Sequence, residues 1–118
     1  MKSKLSILIV FLVILTGIVK AQSKATPEER AKYLTEVLMK DKLDLKDDQL
    51  ENVNAVNLEM LQNMDEAKAN NEPFSALKEY SDTRDEQLKD ILTPQQNASF
   101  QSNLPFFRKK MNEKFGKQ

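Results

Sequence analysis

The chain has 118 residues, of which 18 are basic and 18 acidic, with no cysteine and no histidine. A disulfide framework, thiol catalysis, histidine-based triads and zinc sites with imidazole or thiolate ligands are therefore excluded. The two glycines, Gly17 and Gly116, cannot build a phosphate-binding loop.

Lys2 and Lys4 open the chain, and an uncharged apolar run follows over 5–19. That run is shorter than the ~20 residues of a membrane-spanning helix. Val19 and Ala21 are small residues at −3 and −1 of a cut before Gln22. This is the plan of a secretory signal peptide over 1–21, cleaved after Ala21. All 18 acids lie after Ala21 and three lysines lie before Gln22, so the exported chain carries a net charge of −3. Nucleic acid is not the expected partner of such a chain. The charge is uneven. Acids outnumber bases over 22–104, whereas 105–118 holds five basic residues and one acid.

Apolar residues recur at three- and four-residue steps, hairpin signals are absent, and Glu, Lys, Gln, Leu and Ala dominate. The class is all-α. A first helix starts at Thr26-Pro27-Glu28-Glu29, a capping box in which Thr26 and Glu29 can satisfy each other's backbone N–H. Ala31, Leu34, Leu38 and Leu43 line one side, and the pattern breaks around Asp41 to Asp44. A second helix runs from about Asp47 to Asn70. Its stripe is Leu50, Val53, Val56, Met60, Leu61, Met64 and Ala67, and its three early acids suit the helix dipole. Asn70-Asn71-Glu72-Pro73 is a turn. A third helix follows to Leu92, with Phe74, Leu77, Ser81, Arg84, Leu88 and Ile91 in step. The two long helices make a hairpin.

Leu92-Thr93-Pro94-Gln95-Gln96 opens a fourth helix. Thr93 caps it, Pro94 occupies the first helical position, and Gln96 can reach back to the cap's N–H. Leu45-Lys46-Asp47-Asp48-Gln49 is a degenerate copy placed 47 residues earlier. Phe100 and Leu104 continue the fourth helix, Pro105 should end or kink it, and 105–118 reads as a basic, aromatic tail, frayed in solvent. The domain expected is thus 22–104.

Adjacent carboxylates such as Asp47/Asp48 and Asp85/Glu86 do not face each other on a helix, so they read as solvated faces rather than acid/base pairs. No catalytic, cofactor-binding or metal-ligating residue is expected, and the chain does not read as an enzyme. Binding is the function left. Met39, Val56, Met60 and Met64 are the candidate client-binding residues, because flexible, polarizable methionine suits variable partners. Ordinary core at helical spacing is the other reading of the same residues.

With these motifs in hand, the chain resembles the Spy/CpxP family of LTXXQ-motif periplasmic proteins. Leu92, Thr93, Pro94 and Gln96 belong to a full copy of that motif. Leu45 and Gln49 belong to a first copy in which Lys46 stands where threonine is expected. Thr26 and Glu29 resemble the family's usual mature start. The resemblance implies a periplasmic location and a long bent helical hairpin that dimerises into a cradle. It also implies ATP-independent chaperone activity on unfolded envelope proteins, with no cofactor. A partner-specific regulator of envelope-stress signalling, acting on a sensor protein, and a structural or metal-buffering envelope protein are the alternatives. Metal-binding relatives use His-bearing segments, which this chain lacks.

Overall fold

The computed structural model of the protein describes residues 25–116. The signal segment 1–21 and its cleavage site lie outside the described residues. Within them no helix is long and apolar enough to cross a membrane.

Five helices and no strand make up the described residues. Helix α1 spans 27–43, α2 Asp47–Ala69, α3 Phe74–Lys89, α4 Pro94–Ser102 and α5 Leu104–Phe115. The all-α class and the α2–α3 hairpin are as the periodicity predicts.

Helix α1 is α-helical over Pro27–Lys32, π-helical over Tyr33–Met39 and α-helical again over Lys40–Leu43. This explains the break in its pattern. Leu38 and Leu43 are five residues apart, out of step for a 3.6-residue turn but in step across a wider π turn. In that segment Lys40 N–H bonds Thr35 O, five residues back. The wider turn brings Leu34, Thr35, Leu38, Met39 and Leu43 all to the buried side.

The chain reverses without glycine. Asp44 ends α1 in the left-handed region at φ 52, and Leu45 N–H reaches back to Lys40 O at 3.1 Å. Asn71 does the same after α2 at φ 56. There Glu72 N–H bonds Ala67 O at 2.9 Å and Asn71 N–H bonds Lys68 O at 3.0 Å, a Schellman closure. Asn and Asp tolerate this region better than other non-glycine residues.

Two boundaries differ from the sequence reading. Helix α3 stops at Lys89 rather than Leu92, because Thr93 precedes a proline and is extended, at φ −70 and ψ 162. Leu92 instead turns into the core. Helix α4 stops at Ser102, and Pro105 ends nothing. It sits in the first turn of α5, where its missing N–H leaves no bond unmade.

The segment after 104 is therefore a helix and not a frayed tail. Phe107 is buried against Phe100, ring centroids 5.9 Å apart, and Phe115 meets Tyr33 edge-on at 5.4 Å. Two of the tail's lysines lie over rings: Lys114 is 5.6 Å from the Tyr33 ring and Lys110 5.8 Å from Phe106, which Lys42 covers from α1 at 4.4 Å. One core joins Leu34, Leu38, Met39, Leu43, Leu45, Val53, Leu88, Leu92, Phe100 and Phe107. A smaller cluster of Ala31, Met60 and Leu61 lies further along the hairpin. Phe74, in step on the apolar face of α3, stays outside both clusters, at 76% exposed.

Candidate functional site

The two motif copies meet. Gln49 Nε2 donates to Gln96 Oε1 at 2.7 Å, and Gln96 Nε2 donates to Gln49 Oε1 at 3.0 Å. Each glutamine oxygen also accepts from the N–H that starts its own helix, Lys46 at 2.9 Å and Thr93 at 3.0 Å. Each amide nitrogen also serves carbonyls at the end of the helix that precedes the other copy. Gln49 donates to Ile91 O at 3.1 Å, and Gln96 to Leu43 O at 3.2 Å and Asp44 O at 3.3 Å. The arrangement is a local pseudo-two-fold, with Leu45 and Leu92 buried beside it. Its bonds satisfy helix ends that would otherwise lack partners. The motif is an architectural clasp.

The caps behave as their residues dictate. Thr93 Oγ1 accepts from Gln96 N–H at 3.1 Å, and Thr26 Oγ1 from Glu29 N–H at 3.1 Å. Lys46 has no acceptor in its side chain, so the first copy keeps only the glutamine half of the box. Thr93→Ala is expected to destabilise the fold by ~1 kcal/mol. A urea melt should show a lower midpoint at unchanged slope, and an unchanged midpoint would place the role of Thr93 outside folding.

A polar chain threads the core between the three long helices. Asn57, fully buried, donates from Nδ2 to Thr35 Oγ1 at 2.9 Å and to Met39 Sδ at 3.3 Å. Its Oδ1 accepts from Arg84 Nη1 at 3.1 Å, and Arg84 Nε bonds Asp85 Oδ1 at 2.8 Å. The Arg84 guanidinium lies 5.0 Å from the Phe100 ring centroid. Burial lowers the Arg84 pKa from its ordinary value, against the opposing pull of Asp85.

Beside this chain a groove of about 410 Å³ opens between the helices. Met60, Met64, Leu77, Leu104 and Met111 form its apolar wall, and Phe74 stands at its edge. Arg30, Lys68, Arg84 and Arg108 line it as well, with Asp65 paired to Arg30. Among the described residues no group of three or more acids, the only ligating types present, is placed to hold a metal.

Residues 19–100 match the model of the domain of unknown function DUF4890. The chain belongs to that family. Neither a curated protein nor a solved structure matches it. The match ends at Phe100, one helix short of the described fold.

The four candidate client-binding residues divide. Met39 is core and not surface, because the π turn carries it inward to 0% exposure and Asn57 holds its sulfur. Val56 packs half-buried against the same core. Met60 and Met64 line the groove, Met60 nearly covered and Met64 half-buried. Sequence reasoning missed the cations. Arg84 had one signal, a charge standing in step on an apolar stripe. Arg30, Lys68 and Arg108 had none, since α1, α2 and α5 converge only in the folded chain.

Proposed function

We propose that this DUF4890 protein is an exported, ATP-independent holdase of the Spy/CpxP type, holding apolar side chains of partly folded envelope proteins. The observation that carries the reading is the open groove walled by Met60, Met64 and Met111 with Phe74 exposed beside it. Methionine adapts its shape at little cost, which suits clients of varied sequence. A large exposed aromatic next to an apolar groove marks an interaction surface more than a stray residue does. The paired Leu45/Gln49 and Leu92/Gln96 motifs and the all-helical plan support the family resemblance. The periplasm, reached through the signal segment, is the compartment in this reading.

The test is aggregation suppression of several unrelated clients without nucleotide. The double variant Phe74→Lys, Met64→Lys is expected to lose most of the suppression while its helical signal is unchanged. A folded wild-type chain that fails on every client, yet draws down one envelope protein, would make the protein a partner-specific regulator instead. The reading includes a homodimer, which covers Phe74 and closes the groove into a cradle. Light scattering at micromolar concentration is expected to give about twice the chain mass. A monomer at that concentration would remove the cradle from the reading.

A further inference from the structure

The groove carries charge of the opposite sign to the rest of the exported chain. Four cations line it, Arg30, Lys68, Arg84 and Arg108, against the single acid Asp65. The chain after Ala21 is net −3. Arg30 is paired with Asp65, and Arg84 with Asp85. Lys68 and Arg108 enter no ion pair among the described residues. Arg108 also stands near enough to Arg84 to disfavour its charge. Arg30 is 3% exposed, and its Nε has no hydrogen-bond partner. A buried donor without a partner carries its full desolvation cost. Like charges brought together around an apolar wall are complementary to one kind of occupant, an anion attached to an apolar body.

We infer that the groove binds a single-chain amphiphile with a carboxylate head, a long-chain fatty acid, with its alkyl chain on the Met60, Met64 and Met111 wall and its head at the Arg108 and Lys68 cations. The volume is in the range of about 300–1,000 Å³ typical of small-molecule sites. Methionines follow the bends of an alkyl chain without leaving gaps. The backbone groups of the surrounding helices are already bonded within their own turns. A client can present single apolar side chains to this wall, but a peptide backbone lying along its length would bring an N–H and a C=O with every residue to a surface that offers few partners for them. An alkyl chain brings none. Carboxylate and guanidinium match in shape and form charge-assisted bonds. This site goes beyond the holdase reading and does not rest on it.

The experiment uses the full exported chain, stripped of lipid, with its N-terminus fixed by intact mass. Tetradecanoate and tetradecan-1-ol are each delivered from cyclodextrin and followed by titration calorimetry and native mass spectrometry. An acidic amphipathic helical peptide is titrated alongside. Tetradecanoate is expected to bind one per chain, and about tenfold more tightly than the alcohol, which lacks the charge-assisted bonds. The double variant Lys68→Gln, Arg108→Gln should bring the carboxylate down to the level of the alcohol, with the alcohol and the melting curve unchanged. Both positions are exposed, so the variant keeps its core. No binding of tetradecanoate, equal binding of acid and alcohol, indifference to the double variant, or preference for the peptide would each overturn the assignment. None of these readouts involves a client, so failure of the holdase assay leaves them intact.

Discussion

A chain ending at Asn103 is expected to lose at least about 3 kcal/mol of stability, the amount typical of deleting one buried phenylalanine side chain. Phe107 is 3% exposed and stacks on Phe100, the largest fully buried side chain. Removing α5 takes away Phe107 and leaves one side of Phe100 to water. Phe106, Met111 and Leu104, which pack on the same core, go with it. A domain of this size holds only about 5–15 kcal/mol in total. A loss of ~3 kcal/mol shifts the midpoint of a domain the size of the described residues, 25–116, by roughly 12–24 °C. Thermal unfolding followed by circular dichroism checks this, with Phe107→Ala as the milder companion. A sharp transition within a few degrees of the full chain would show that α5 only decorates a fold complete at Phe100. The helix beyond the family match is part of the hydrophobic core.

Legibility in the sequence followed the range of the forces involved. The starts of α1 and α4 were plain, because a capping box is closed within four residues and needs nothing from the rest of the chain. The α2–α3 hairpin was plain for a related reason, since Asn-Asn-Glu-Pro cannot continue a helix. The π segment of α1 was not, because it shows only as a five-residue step between Leu38 and Leu43 that also reads as an ending. Helix α5 was hidden by composition. Five basic residues suggested solvent, yet Lys110 and Lys114 lie over aromatic rings while Phe107 goes inward. Phe74 erred the other way, in step on a helix face but past the end of the core that would cover it. The bond between Gln49 and Gln96 spans 47 residues. The repeated motif hinted at a shared role, but only the fold shows that the two copies clasp each other.

Asn57 is the residue whose role runs most sharply against its pattern. It interrupts an apolar stripe that Val53, Val56, Met60 and Leu61 otherwise fill, so Asn57→Leu completes the stripe. The substitution is nonetheless expected to cost about 2–4 kcal/mol, because two buried groups lose their partner at once. Thr35 Oγ1 loses the amide donor, and Arg84 Nη1 loses its neutral acceptor. Arg84 is 6% exposed, and burial already disfavours its charge, so Asp85 and the Phe100 ring must then offset the desolvation. Leucine returns some transfer energy, about 1.5–3 kcal/mol for a fully buried side chain, but only if it fits a space shaped for a flat amide. Adding Arg84→Met to Asn57→Leu should recover about 1–3 kcal/mol relative to the sum of the single changes, since no buried guanidinium is then left without its neutral acceptor, while Asp85 loses its pair in both backgrounds and cancels from the cycle. Urea melts of the four proteins in the cycle check both figures. An Asn57→Leu chain as stable as the wild type, or a cycle without coupling, would mean that Asp85 and the Phe100 ring suffice for Arg84 and that Asn57 does not hold the three long helices in register.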